Sequence, residues 1–256
     1  MKNEHTSPSP IPQQRRQILQ RSQAITALVA GLSITFACDR AHADDLVNTV
    51  KIGLAAQRFH TESQELAGEG PAAAFTPPGI LVDLRNNNFL AVSYERRLSD
   101  RWSVLFQAGI PPLLKIDGGG SVAGVGTVGT ARLWTPSLLA TYAFDSFAGM
   151  RPYVGAGVNY VFFTNKEVRP VYTSAFGGTS STLKLKSSWG PTVKLGLEYP
   201  ITKNWIVDLS YYHYWVKTRN TFTTVTPTPA GNVELVRSGD VRADPDIFGL
   251  VVGYRF

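Results

Sequence analysis

The feature that most constrains this chain is a period-two alternation of large apolar with small or polar side chains, which recurs eight times and runs to the final residue. Its plainest instance is the C-terminal segment. There Phe248, Leu250, Val252, Tyr254 and Phe256 share one face, while Gly249, Val251, Gly253 and Arg255 share the other. Because successive side chains of a strand point to opposite faces, each such segment reads as a strand with one greasy side. Upstream, Trp205, Val207, Leu209 and Tyr211 oppose Asp208, Ser210, Tyr212 and Tyr214, and Val193, Leu195, Leu197 and Tyr199 oppose Thr192, Lys194, Gly196 and Glu198. Val154, Ala156, Val158, Tyr160 and Phe162 alternate with Gly155, Gly157 and Asn159, and Trp134, Leu138, Ala140, Tyr142 and Phe144 with Ser137 and Thr141. Three less regular strands set Trp102, Val104, Phe106 and Ala108 against Ser103, Gln107 and Gly109, Leu90, Val92 and Tyr94 against Ala91, Ser93 and Glu95, and Val50, Ile52 and Leu54 against Thr49, Lys51 and Gly53.

Beyond residue 43 no stretch approaches 18 consecutive apolar residues, so helical membrane spans are excluded, yet a closed barrel crosses a bilayer with only every second side chain apolar. The connections sharpen this. Residues 98–101, 145–150 and 200–204 are short turns, and between them fall longer polar or Gly/Pro-rich links near residues 60–87, 117–129, 169–181 and 224–232. Three tight turns on one side and four longer loops on the other describe an eight-stranded antiparallel up-and-down transmembrane β-barrel, with both termini on the short-turn, periplasmic side. Trp102, Phe144, Tyr199, Trp205, Tyr254 and Phe256 gather near that side and Phe162, Phe163, Trp189 and Trp215 near the other, as interfacial belts require. The alternative use of these aromatics, filling a soluble β-sandwich, fits neither the hairpin asymmetry nor the terminal Phe256.

The N-terminus supplies the export route. Arg15, Arg16 and Arg21 precede an uncharged run over residues 24–37, then Ala41-His42-Ala43, which together read as a signal peptide of residues 1–43 cleaved after Ala43. The apolar run is too short for a retained anchor. Arg15-Arg16 reads as ordinary n-region charge, because a barrel must be exported unfolded, and a lipoprotein use of Cys38 is disfavoured by Thr35 where a leucine is preferred. Residues 44–256 would then form the barrel in the Gram-negative outer membrane. Cys38 is the single cysteine, so no disulfide or thiolate metal site is expected in that part, and no cofactor is implied. The whole chain carries +6; loss of five positive and two negative residues with the signal leaves +3, too little and too dispersed for nucleic-acid binding.

Several segments resemble the OmpW family of small outer-membrane barrels. The strongest is RPYVGAGVNY at residues 151–160, followed by Phe162-Phe163; it is joined by Ala108-Gly109-Ile110-Pro111-Pro112, the glycine-rich residues 118–129, Pro136, and DPDIFGLVVGYRF at residues 244–256. The sequence departs from that family's pattern where Leu113, Leu114 and Lys115 replace an expected histidine region, where Thr135 replaces a second proline, and in a longer first loop containing Phe75, Pro77 and Pro78. The resemblance implies a narrow apolar channel for passive uptake of small hydrophobic solutes across the lipopolysaccharide leaflet, with sideways release into the membrane. Outer-membrane lipid, lipopolysaccharide, the solutes and the barrel-assembly machinery, engaged through the C-terminal strand ending at Phe256, are the partners it implies.

Residue chemistry gives this reading sites. Leu113, Leu114, Phe163, Tyr212 and Tyr214 are expected to line the channel at its upper mouth. Lys51, Glu95, Lys194, Glu198, Asp208 and Arg255 fall on inward positions toward the periplasmic half and are expected to form a paired polar plug, whose simplest role is stability, since buried charges require partners. Pro111, Pro112 and Pro136 cannot donate to a ladder, so they either open a lateral exit or shape loop roots. A competing function is a structural or adhesive barrel whose loops bind partners. Enzyme activity is not expected: His60 and His213 are the histidines beyond residue 43, and no Ser/His/acid set shares a strand height. The glycines of residues 118–126 read as a flexible loop.

Overall fold

The computed structural model describes residues 47–256; the signal-peptide expectation lies outside the described residues. In chain order the strands are β1 (Asn48–Arg58), β2 (Glu62–Ser63), β3 (Ala67–Glu69), β4 (Ile80–Leu84), β5 (Asn87–Arg97), β6 (Trp102–Ile110), β7 (Leu113–Gly120) and β8 (Thr127–Trp134). They continue with β9 (Ser137–Ala143), β10 (Arg151–Val168), β11 (Ser180–Leu185), β12 (Ser188–Pro200), β13 (Trp205–Tyr214), β14 (Lys217–Thr228), β15 (Gly231–Arg242) and β16 (Asp246–Arg255). A short helix, α1 (Pro170–Ala175), follows β10, and single 3-10 turns occupy Gly70–Phe75 and Ala123–Val125.

Eight of these strands close a barrel in the order β1, β5, β6, β9, β10, β12, β13, β16, each antiparallel to its neighbours, with β16 returning to β1. These are the eight segments that alternation singles out. Ile52, Leu54, Leu138, Leu195, Leu209 and Leu250 stand exposed on the outer wall. A continuous apolar surface of this kind belongs against lipid rather than water. Three short turns join barrel strands at one end, with Leu98 N–H donating to Trp102 O at 2.8 Å, Phe147 and Met150 bridged, and Ile201 N–H donating to Trp205 O at 2.8 Å.

At the other end the chain departs from the loops expected there. β10 has 18 residues, a length of roughly 60 Å at about 3.3 Å per residue, against a hydrocarbon core of about 30 Å. Its lower half pairs with β9, and from Phe162 its upper half pairs with β8. β8, β7 and β4 extend that sheet, while β11, β14 and β15, with β2 and β3 on the edge of β15, form a second. The glycine-rich residues 118–126 are therefore mostly held in β7 and the 3-10 turn, not a loose loop. These crown strands escape an alternation search because β14 turns Thr218, Asn220 and Thr224 inward beside Phe222, so both faces read as polar. Leu66, Ile80, Val82, Ile116, Val128, Tyr172, Leu183, Phe222 and Val241 make the core of the crown.

Candidate functional site

A charge cluster centred on Lys51 lies inside the barrel near the short-turn end. Its ammonium group, 1% exposed, lies 2.8 Å from Glu95, 2.6 Å from Glu198 and 2.7 Å from Asp208. The register makes this possible: Lys51 sits between Ser93 and Gly253 on neighbouring strands, and Glu198 pairs directly with Asp208. Arg255 holds the other oxygen of Glu198 at 2.8 Å, and the Tyr153 hydroxyl donates to Asp208 at 2.9 Å. Tyr153 has no place among the residues expected from sequence. It reaches Asp208 by lying on Gly196, its ladder partner, where an added methyl group would strike the ring.

Lys194 departs from the paired plug. Among the described residues no carboxylate lies within ion-pair distance of it; its ammonium instead rests 4.6 Å from the Tyr212 ring centroid and 5.6 Å from that of Tyr153, and donates to Gln107 Oε1 at 3.4 Å. Register explains this, since Lys194 sits two residues along β12 from the Gly196 position and opposite Tyr212, toward the crown. Gln107 Nε2 donates to the Tyr214 hydroxyl at 2.6 Å, and that hydroxyl also meets Ser137 at 3.1 Å. Polar contacts thus grade into aromatic ones up the lumen.

Above this layer the lining turns apolar. Ala55, Leu114, Leu133, Val161, Tyr212, Tyr214, Val216, Ala243 and Ile247 form one buried cluster, with Phe59 and Phe163 packed on it. Leu114, Leu133, Phe163, Val216 and Val241 help to line a cavity of about 30 Å³ there. Of the expected channel residues, Leu114, Phe163, Tyr212 and Tyr214 face inward and Leu113 does not. Leu113 is 47% exposed, whereas Leu114 is 1%. Adjacent strand residues cannot face the same way, and after the Pro111-Pro112 break it is Leu114 that turns inward.

The prolines coincide with a gap in the wall. The β6–β9 ladder ends at the Gln107–Ser137 pair, and the β7–β8 ladder resumes at Leu113–Arg132. Between them, residues 108–112 and 133–136 make no ladder with each other, although both stay attached on their far sides: Ala108 to Val92 on β5, and Pro136 O to Tyr160 N–H at 2.9 Å. Arg132 bridges the top by donating to Pro111 O at 3.2 Å. Beneath the gap lies a second cavity of about 20 Å³, lined both by the inward Ser93 and Gln107 and by Val92 and Ala108 from the outward positions. Thr135 lines both cavities.

The two described histidines converge on a carboxylate that sequence spacing did not connect. Asp246 receives His213 Nδ1 at 2.7 Å, His60 Nε2 at 2.8 Å and the Tyr211 hydroxyl at 2.7 Å. The group lies at the crown end of β13 and β16, on the face that carries Leu209 and Phe248 outward. Its assembly depends on the β13–β16 register, in which His213 pairs with Asp246.

A closed eight-stranded wall with a lipid-facing apolar exterior, paired charges in its interior and a long crown on one side defines a transmembrane β-barrel of the outer-membrane kind. The comparisons agree. The OmpW family model matches residues 49–256, and the chain belongs to the OmpW family. It is 30% identical to outer membrane protein W of Salmonella typhimurium over 175 residues, 68% of this chain and 76% of that protein. It is also 27% identical, over 55% of this chain and 62% of the relative, to the dibenzothiophene metabolism operon protein PahQ of Pseudomonas aeruginosa. The crystal structure of OprG from Pseudomonas aeruginosa has the same fold, with a TM-score of 0.68 at 22% identity, covering 82% of this chain and 95% of that one. The protein is therefore an outer-membrane protein of a Gram-negative bacterium.

Proposed function

We propose that this barrel admits small apolar solutes through its crown and releases them sideways into the membrane through the gap between β6 and β9. The observation that carries this reading is the position of Thr135, which lines both the apolar cavity above and the cavity that meets the wall at Val92 and Ala108. Below that level the Lys51 cluster bars an apolar molecule, because entering it would strip hydrogen bonds from buried charges. Straight passage is thereby disfavoured, while the gap lacks the ladder bonds that elsewhere close the wall. A relative named for a dibenzothiophene metabolism operon is consistent with aromatic apolar solutes. Both cavities are about the size of a water molecule, so transit requires side chains such as Phe163 and Leu114 to move.

The test is uptake of a labelled short alkane or monocyclic aromatic into liposomes carrying the folded barrel. Uptake is expected to rise with barrel content and to be insensitive to salt. Filling the gap with Ala108→Trp or Thr135→Trp should reduce it about tenfold, and Pro111→Ala with Pro136→Ala, which restores two donors, should slow it. Unchanged uptake in all these variants at equal barrel abundance refutes lateral release. No uptake by the unaltered barrel refutes transport itself and leaves the crown as a recognition surface.

A further inference from the structure

The largest of the fully buried side chains among the described residues is a cation without a counter-ion. Arg237, on β15 in the crown, is 1% exposed. Its Nε donates to Thr76 Oγ1 at 3.1 Å and its Nη2 to Phe75 O at 3.4 Å, a long contact, while Nη1 has no partner. Among the described residues no carboxylate is paired with it; the one on the adjacent edge strand, Glu69, accepts instead from Ser238 at 2.6 Å. Burying an ionised group without a compensating charge is costly even where neutral groups solvate it in part, so such a guanidinium calls for an anion.

The surroundings suit one. The guanidinium carbon stands 4.0 Å over the Phe176 ring, which packs on Tyr172 at 4.7 Å between centroids, and Tyr172 stacks at 4.5 Å on Phe222, the ladder partner of Arg237. The Tyr172 hydroxyl is a second buried polar atom, and it makes no hydrogen bond of full geometry. Arg237 adjoins it, and both the guanidinium charge and a side-chain hydrogen bond from Arg237 act to lower the phenol's pKa, although burial dominates and pushes it up to about 12. That phenol therefore keeps its proton and is a donor at any ordinary pH. Two adjoining buried donors, one cationic, thus share an aromatic-walled site outside the membrane, each with a hydrogen left for an acceptor, and a void of about 10 Å³ against Tyr172 and Phe176 gives the rings room to shift.

We propose that the crown binds a small monovalent anion, of halide or carboxylate size, against both the Arg237 guanidinium and the Tyr172 hydroxyl. The anion accepts from Nη1 of Arg237 and from the Tyr172 hydroxyl, and it fixes the turn Gly70–Phe75, whose last carbonyl already touches the same guanidinium. The site is separate from the apolar cavities and stands whether or not the barrel transports solutes.

The experiment follows amide hydrogen exchange across residues 67–76 and 170–177 in the full folded barrel, replacing gluconate by chloride, bromide or formate at constant ionic strength. Protection is expected to rise and saturate with each small anion. Arg237→Met should abolish the dependence, and Tyr172→Phe, which removes one donor, should raise the half-saturating concentration about tenfold. Crystals grown with bromide should give an anomalous peak within contact distance of both side chains. If Arg237→Met does not fold, Tyr172→Phe and the bromide peak decide the matter. Protection that ignores the small anions, or that responds alike in the wild type and Tyr172→Phe, overturns the proposal.

Discussion

Lys51 and Asp208 meet at 2.7 Å inside the lumen, 157 residues apart in the chain. Neither is reached by solvent. The contact joins β1 to β13, which are not neighbours in the wall, so it ties the barrel across its interior rather than along its ladder.

Replacing Lys51 by Met should leave Glu95, Glu198 and Asp208 facing one another without their shared cation. Breaking a buried pair from one side costs about 3–5 kcal/mol, read as a lower midpoint for urea unfolding of the folded barrel. Asp208→Asn in the same background should recover part of that loss. Equal midpoints for Lys51→Met and the wild type would show that the lumen charges are not coupled.

Gly196 is predicted to be intolerant of any side chain. A methyl group there collides with Tyr153, so Gly196→Ala should displace that ring and remove its hydrogen bond to Asp208. The net loss of such a bond to a charged group is about 1.5–3 kcal/mol. Combining Gly196→Ala with Tyr153→Phe should cost no more than the glycine change by itself, which a double-mutant cycle measures.

The facing of Leu113 and Leu114 gives a paired test. Leu114→Ala removes a fully buried side chain and should destabilise by about 2–5 kcal/mol, whereas Leu113→Ala, at an exposed position, should change stability by no more than about 0.5 kcal/mol. The reverse ranking would mean that β7 is set one residue out of register.

In the crown, Arg219 bonds Asp240 at 2.7 Å across the β14–β15 ladder. That hydrogen bond holds the Asp240 carboxyl below the usual carboxylate range. A carboxylate whose folded pKa is depressed contributes stability above its unfolded pKa and loses it as pH falls through the folded value. Amide protection in residues 217–242 should therefore decline as pH falls below the ordinary aspartate range. Arg219→Ala should remove that part of the decline, measured by hydrogen exchange between pH 5 and 3.

Alternation by itself determined that β1, β5, β6, β9, β10, β12, β13 and β16 are strands with Ile52, Leu195 or Leu250 outward and Lys51, Lys194 or Asp208 inward, because a two-residue period fixes facing without knowledge of neighbours. The class of fold was legible for the same reason, and the family likeness from the particular motifs at residues 151–160 and 244–256. The crown was not. β14 carries polar residues on both faces, and only packing against Tyr172 and Leu183 makes Phe222 part of a core. Which inward charges would meet was equally hidden, since Lys51 gained three carboxylates and Lys194 two aromatic rings according to their height in the closed cylinder. The convergence of His60 and His213 on Asp246, and the stranding of Arg237 beside Tyr172, depend on register between strands far apart in the chain. Facing is a local property of the backbone, while partnership is set by barrel closure, and only the tertiary structure decides it.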